Sequence, residues 1–201
     1  MRRQFCTAVA VLGALMVGPR LAAAQQLGVK GGVNLSYIRW GPEVVIETKM
    51  APGFVVGAFT RLKPFKGLDL QIEGLVSQLI IDVNVEDIVL TNTLTVVEVP
   101  VLVRYKLVSG RRLTVRAQGG AAFGLAVMAR ENVNGQKSDI KDAVAPWGAS
   151  LVAAAEVEWG RRWVFDARYV FGLTDIYESQ VAIDFPARNQ SVQVTAGFKI
   201  R

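Results

Sequence analysis

The residues able to perform acid–base, nucleophilic or metal chemistry are few in this sequence. Its 201 residues include 17 acids, 23 bases and one cysteine, and they include no histidine. The absence of histidine removes the most frequent general base and metal ligand, together with the Ser-His and Cys-His nucleophile pairs. A single cysteine excludes a disulfide framework and a cysteine-cluster metal site. Carboxylates such as Glu156 and Asp166 remain as candidates for general acid–base catalysis.

Charged residues of both signs recur at alternate positions within otherwise apolar segments. The members of this set are Glu73, Glu98, Arg104, Arg116, Glu156, Asp166 and Arg168. Charges that face the inside of a protein must pair with one another, and here the two signs occur in nearly equal number. We therefore interpret the set as structural charges that pair in an interior. This interpretation predicts no enzyme activity, no cofactor and no metal site.

The elements that position these charges show a repeated period of two, which is the signature of β-strands. The alternating segments are residues 27–37, 54–62, 68–77, 95–106, 112–127, 147–159, 162–173 and 191–200. The two faces of segment 54–62 are poorly sorted, so the sequence does not assign its facing. Many segments reach the ~9–11 residues of a membrane-spanning strand, whereas strands of globular domains have ~5–6 residues.

The connections between these segments alternate in length. Three are short, at residues 64–67, 109–111 and 160–161, and four are long, at about 39–52, 81–93, 129–145 and 174–188. This order predicts an all-β fold, an eight-stranded antiparallel up-and-down transmembrane β-barrel with every long loop at one end. The apolar stretches Val44–Ile46 and Val83–Leu90 indicate that some long loops continue as strands above the membrane.

Two facings of such a barrel are possible. A soluble barrel of the lipocalin type has its apolar face inside, whereas a membrane barrel has it outside. Charges of both signs share the polar face, and aromatic residues such as Trp147, Trp159 and Trp163 lie near strand ends, where interfacial girdles form. These features favour the membrane barrel.

The first 24 residues are predicted to be a secretory signal peptide. Arg2 and Arg3 precede the apolar run Phe5–Val17, and Ala22–Ala24 offers a cleavage site. Removal of the segment lowers the bases from 23 to 20 against 17 acids, so the barrel domain, residues 25–201, has a net charge of +3. No cluster of Lys and Arg interleaved with aromatic residues predicts nucleic-acid binding.

Five stretches identify a family resemblance: LGVKGGVNLSYI, LDLQIEGLVSQ, VEVPVLVRYKL, DARYVFGLTDI and VTAGFKI. The chain resembles the small eight-stranded outer-membrane β-barrels of Gram-negative bacteria, which are described as porin-like or OmpA-type. The resemblance implies the bacterial outer membrane as the location. It also implies outer-membrane lipid, lipopolysaccharide and the barrel-assembly machinery as partners, and it supplies no catalytic residue set.

The function expected from these patterns is non-enzymatic. The long loops carry 11 acids and 6 bases, which suits a structural or surface-binding role outside the cell, above a lumen filled by side chains. A narrow porin-like channel and a soluble, secreted, ligand-binding barrel of the lipocalin type are the alternatives. Asp82, Glu86 and Asp87 could hold a divalent cation that bridges lipopolysaccharide, although a solvated loop explains them more simply.

Overall fold

The computed structural model describes residues 26–39, 48–65, 68–85, 88–133, 136–176 and 188–200. The predicted signal peptide, residues 1–24, lies outside these ranges, as do Val44–Ile46, Glu86 and Asp87. The side chain of Asp82 is also outside the description. The described ranges contain no helical segment that could serve as a membrane span.

Nine strands make up the described fold, and all of them pair antiparallel in one sheet. They are β1 (Gln26–Arg39), β2 (Thr48–Phe65), β3 (Leu68–Val85), β4 (Ile88–Ser109), β5 (Leu113–Val133), β6 (Gln136–Asp139), β7 (Trp147–Trp159), β8 (Trp163–Asp175) and β9 (Arg188–Lys199). A 3-10 helix, Lys141–Ala143, lies between β6 and β7.

Eight of these strands close into a barrel, as the sequence predicted. Around the ring each strand pairs with its neighbour in the order β1, β2, β3, β4, β5, β7, β8 and β9, and β9 pairs again with β1. Closure leaves the barrel wall without a free edge, so its backbone N–H and C=O groups can be satisfied inside a hydrocarbon layer. The ninth strand, β6, pairs only with the upper end of β5.

The predicted short turns are confirmed at one end of the barrel. They join Phe65 to Leu68, Ser109 to Leu113, and Trp159 to Trp163. The last of these turns contains Gly160 at φ 64°, a left-handed conformation that glycine adopts without steric cost.

The predicted loops at the other end are partly replaced by strand. The β3–β4 ladder continues to the pair Val85 and Ile88, which confirms the predicted strand at residues 83–85 and 88–90. The β4–β5 ladder continues to Leu90 and Val133, although residues 129–133 were predicted to be loop. We call residues 82–85, 88–95, 128–133 and 136–139 the extension. It stands above the point where the β5–β7 ladder ends at Leu125 and Trp147.

Large apolar side chains cover the outside of the wall. Exposed examples occur on every barrel strand, including Val29, Val56, Val103, Phe123 and Val194. Aromatic side chains mark both margins on β7, where Trp147 and Trp159 lie about 30 Å apart along the barrel axis at ~3.4 Å per residue and ~40° tilt. This separation matches an apolar band ~25 Å tall with a girdle at each margin.

The lumen is filled rather than hollow. Arg61, Arg104, Phe59, Leu75 and Leu102 are among the largest fully buried side chains. The lumen therefore contains an apolar part as well as a charged part, which the simple separation of apolar outside from ionic inside did not predict. The apolar part includes the cluster Leu102, Ala122, Val152 and Val170.

A short segment closes part of the upper mouth. Residues 140–146, which we call the mouth segment, run from the end of β6 to the start of β7. Ile140 N–H donates to Ala129 O at 3.2 Å, and Ala145 N–H donates to Ile176 O at 2.8 Å. Val144 packs with Leu79, Leu94 and Ala129 in a buried apolar cluster.

Candidate functional site

The charged part of the lumen is the most concentrated set of functional groups in the described chain. One half of it surrounds two acids, Glu73 on β3 and Asp166 on β8. Lys30 Nζ lies 3.0 Å from Glu73 and 2.6 Å from Asp166, while Arg168 lies 2.8 Å from Glu73 and 2.9 Å from Asp166. Thr195 Oγ1 donates to Asp166 at 2.8 Å. Two bases therefore neutralise two acids in a closed square.

The other half surrounds Glu156 and Glu158 on β7. Arg61 lies 2.8 Å from Glu156 and 2.7 Å from Glu158. Arg104 pairs with Glu156 and also lies 2.9 Å from Glu158. Gln118 Nε2 donates to Glu156 at 2.6 Å. The Glu156 carboxylate is therefore surrounded by three donor side chains, and its residue is 0% exposed.

Further charges extend this half toward the short-turn end of the barrel. Arg116 lies 3.1 Å from Glu158 and 3.6 Å from Asp69, and Lys199 lies 3.3 Å from Glu158. Asp69 also pairs with Arg104 at 3.2 Å. These outer side chains remain slightly accessible, at 15% for Arg116 and 17% for Asp69, so the network loosens toward solvent.

Gln71 joins the two halves. Arg61 Nε donates to Gln71 Oε1 at 2.6 Å, and the Gln71 amide in turn donates to Glu73. We call the whole assembly of Lys30, Arg61, Asp69, Gln71, Glu73, Arg104, Arg116, Gln118, Glu156, Glu158, Asp166, Arg168 and Lys199 the lumen network. Because alternate positions of a strand share one face, all eight barrel strands direct these side chains to the same axis.

The sequence-derived set divides between this network and one separate position. Six of its members, Glu73, Arg104, Arg116, Glu156, Asp166 and Arg168, lie in the lumen network. Glu98 does not belong to it. Its carboxylate accepts a hydrogen bond from Ser77 Oγ at 2.9 Å, and no described Lys or Arg lies within salt-bridge distance of it.

Sequence reasoning missed several members of the network. Lys30, Asp69, Glu158 and Lys199 occupied polar positions of recognised strands, so strand alternation was the signal that could have found them. Arg61 lay on the one strand whose faces were unassigned. On β2 the inward side combines Val55 and Phe59 with Arg61, whose guanidinium stacks 4.6 Å from the Phe59 ring centroid, so polarity does not alternate there.

The carboxylates of the lumen network are already occupied by ion pairs, which does not favour acid–base chemistry or metal binding there. Each carboxylate of the inner network contacts at least two cationic side chains, which hold it as a structural counter-ion. Among the described residues, no group of three or more Cys, Asp or Glu side chains could hold a metal ion. The chemistry that the network supports is mutual neutralisation of buried charge.

Comparison with protein families identifies the architecture independently. Residues 23–178 match the family described as "Outer membrane protein beta-barrel domain". The chain belongs to this family. No curated protein matches the sequence. Family membership and the apolar outer wall together place the barrel in the bacterial outer membrane, with its charges inside, and they exclude the lipocalin-like facing.

Solved structures with a similar fold are small outer-membrane barrels. The outer membrane protein OprG from Pseudomonas aeruginosa is 11% identical, with a TM-score of 0.52 over 89% of this chain and 97% of that one. The Neisserial surface protein A is 9% identical, with a TM-score of 0.51 over 87% of this chain and 97% of that one. At these identities the likeness concerns the fold alone.

Proposed function

We propose that this outer-membrane barrel is non-enzymatic, that its lumen does not conduct solutes, and that it acts through the structures at its long-loop end. The observation that carries the proposal is the lumen network. Arg61, Arg104 and Glu156 are each at most 1% exposed and meet across the barrel axis. A barrel of eight strands has an interior just wide enough for side chains to fill, so this arrangement leaves no continuous water path.

Planar-bilayer recording tests the closed lumen. We expect the folded protein to give no stable unitary currents, because ion passage would require several buried ion pairs to separate at once. The same preparation should migrate differently on a gel with and without boiling, which establishes that the sample was folded. Stable unitary currents from such a heat-modifiable sample would contradict the proposal and favour the narrow porin-like channel.

The extension supports a role at the cell surface. β4 has 22 residues, about twice the ~9–11 needed to span the membrane, and its exposed apolar side chains lie at 101–108. Residues 91–93 of β4 and 130–132 of β5, which pair with one another in the extension, are all polar. A polar sheet that continues above the apolar band is suited to contact with water, lipopolysaccharide headgroups or another surface.

Trypsin treatment of intact cells tests this orientation. Arg130, Lys137 and Lys141 lie at the long-loop end, whereas Arg111, Arg112, Arg161 and Arg162 lie in short turns. We expect cleavage only at the long-loop end while the outer membrane is intact, and cleavage at the short turns after it is breached. If trypsin cleaved the short turns in intact cells, the barrel would have the opposite orientation, with its short turns outside the cell.

The partners we propose follow from the same architecture. Lipid and lipopolysaccharide contact the apolar wall and its aromatic margins, and the barrel-assembly machinery inserts the chain. Depletion of that machinery should reduce the heat-modifiable form of this protein in isolated outer membranes. If the heat-modifiable fraction were unchanged after depletion, the barrel-assembly machinery would not be the partner that inserts this chain.

A further inference from the structure

A cavity of about 70 Å³ lies inside the upper mouth, above the lumen network. Its floor includes Glu98, its sides include Leu79, Leu94 and Val144, and Trp147 lies at its rim. The cavity is polar at the floor and apolar above it, which is the usual composition of a small-molecule site.

Missing side chains create this space. Gly124, Gly148 and Gly172 occupy inward positions on β5, β7 and β8, and all three line the cavity. Gly124 pairs with Gly148, and Gly172 pairs with Ser150, so the three positions are adjacent in the wall. Above Ser150 the β7–β8 ladder stops, and the Ala149 amide donates to Thr174 Oγ1 at 3.1 Å. A side chain at Gly148 would enter the cavity, whereas a Cβ on Gly172 would lie 2.5 Å from Asn189 O, so that glycine lets β9 approach closely.

The charge of the cavity has one sign. Glu98 and Asp175 line it, and no Lys or Arg does so among the residues that the structure describes. Asp175 faces Arg188 at 3.7 Å in an exposed position, where a pair contributes little. Glu98 differs from every inner acid of the lumen network, because its hydrogen-bond partners, Ser77 and Gln193, are neutral and Arg168 acts on it only from beyond salt-bridge distance.

We propose that this cavity binds a small organic cation, with an ammonium group at the Glu98 carboxylate and a short apolar body against the aliphatic walls. The chemistry follows from the lining. A cation supplies a counter-charge in direct contact with the Glu98 carboxylate, which the described Lys and Arg side chains do not supply.

The size of the cavity limits the ligand. A group the size of a water molecule needs ~10–15 Å³ of cavity volume, so a cavity of about 70 Å³ admits about five to seven such groups. A primary amine of about five non-hydrogen atoms therefore fits, and n-butylammonium is a suitable probe. The neutral isostere 1-butanol and the anion butyrate have a similar body and lack the positive charge.

Titration of the folded, detergent-solubilised protein with n-butylammonium tests the proposal, with binding followed by saturation-transfer NMR or calorimetry. We expect saturable binding of n-butylammonium, with at least tenfold weaker binding of 1-butanol and butyrate. The variant Glu98→Gln should weaken n-butylammonium binding at least tenfold and bring it close to that of 1-butanol. Sodium at equal concentration should not compete.

A second variant tests the cavity without changing its charge. Gly148→Leu places a side chain in the cavity, since the nearest atom to its Cβ would be Thr174 Oγ1 at 3.5 Å, an ordinary contact. Gly119→Leu is the matched control, because Gly119 lies on the outer face with Val152 O at 3.8 Å as its nearest neighbour. We expect Gly148→Leu to abolish binding and Gly119→Leu to preserve it.

Several results would overturn this proposal. They are absence of saturable n-butylammonium binding to the wild-type protein, equal binding by heat-modifiable Glu98→Gln, equal binding by heat-modifiable Gly148→Leu, and full competition by sodium. The last result would show a general counter-ion site instead of an organic-cation site. These outcomes are independent of the bilayer recording, since the cavity lies above the lumen network whether or not the lumen conducts.

Discussion

Glu156 is the most deeply buried acid of the lumen network, at 0% exposed. Its carboxylate meets Arg61, Arg104 and Gln118, and removal of it leaves two guanidinium groups facing each other with less compensation. Removal of one partner of a buried pair costs more than the pair itself contributes, because the other charge stays buried. The same argument does not apply to exposed pairs, which water already solvates.

We predict that Glu156→Ala lowers the free energy of unfolding by ~3–5 kcal/mol. The matched control is Asp175→Ala, which removes a pair whose side chains are 47% and 49% exposed and should cost ~0–1 kcal/mol. Urea unfolding in lipid vesicles, followed by tryptophan fluorescence, measures both. If the two variants lowered the free energy of unfolding equally, the lumen network would not contribute to the stability of the barrel.

At the level of single residues, the sequence predicted sites where alternation was clean. Asp166 and Arg168 stand at alternate positions between Phe165, Ala167 and Tyr169, so their common face could be read directly. The partner of Glu98 could not be predicted. The contacts between inward charges depend on how far each strand is shifted along its neighbours around the barrel. The alternation within a single strand contains no information on this shift.

At the level of elements, a bulge interrupts the regular alternation that the sequence predicted for β5. Between Thr95 and Val96 the β4–β5 register shifts, so Val127 is the extra residue of a bulge and Ala129 turns inward. The outward face predicted for residues 113–127 therefore cannot be continued into the extension. At Pro100 the β3–β4 ladder lacks two successive pairs, between Ile72 with Val101 and Leu75 with Glu98, without a change of register, because proline has no N–H to donate.

Close contact between strands disfavours any side chain at one glycine of β5. A Cβ on Gly120 would lie 2.0 Å from Val101 O, whereas a Cβ on the adjacent Gly119 would have its nearest neighbour at 3.8 Å. The difference arises because Gly120 points into the tightly curved inside of the wall, and Gly119 points outward.

We predict that Gly120→Ala destabilises the barrel by ~1–3 kcal/mol, the usual cost of overpacking, while Gly119→Ala has little effect. The same urea titration in vesicles measures the difference. If both substitutions behaved alike, the close approach of β4 and β5 at this point would not exist in the folded protein.

Compared with a soluble barrel, the whole molecule is reversed in polarity on its outer surface but not throughout its interior. The wall is apolar toward lipid, and the inside contains both the lumen network and an apolar layer around Leu102 and Val152. Strand number, meander order and the alternation of short turns with long loops were predictable from the sequence, because each is a local pattern. The extension was predictable only in part, because the apolar stretch Val83–Leu90 indicated strand, whereas residues 129–133 of β5 and the short strand β6 fell in a segment that was interpreted as a loop.

Ala153 provides the sharpest test of this inversion. It lies on β7 midway between Trp147 and Trp159 and faces outward. A lysine there would place a charge near the bilayer midplane, at a cost of ~2–4 kcal/mol. A leucine at the same position would meet acyl chains and have ample room, whereas in a packed interior it would clash with its neighbours.

We therefore predict that Ala153→Lys lowers the free energy of unfolding in vesicles by ~2–4 kcal/mol and that Ala153→Leu leaves it unchanged or raises it. The pair separates orientation from general sensitivity, because both variants enlarge the same side chain and only one adds charge. If Ala153→Leu destabilised the barrel while Ala153→Lys was tolerated, this face would have to be in contact with water. The wall could then not be in contact with lipid.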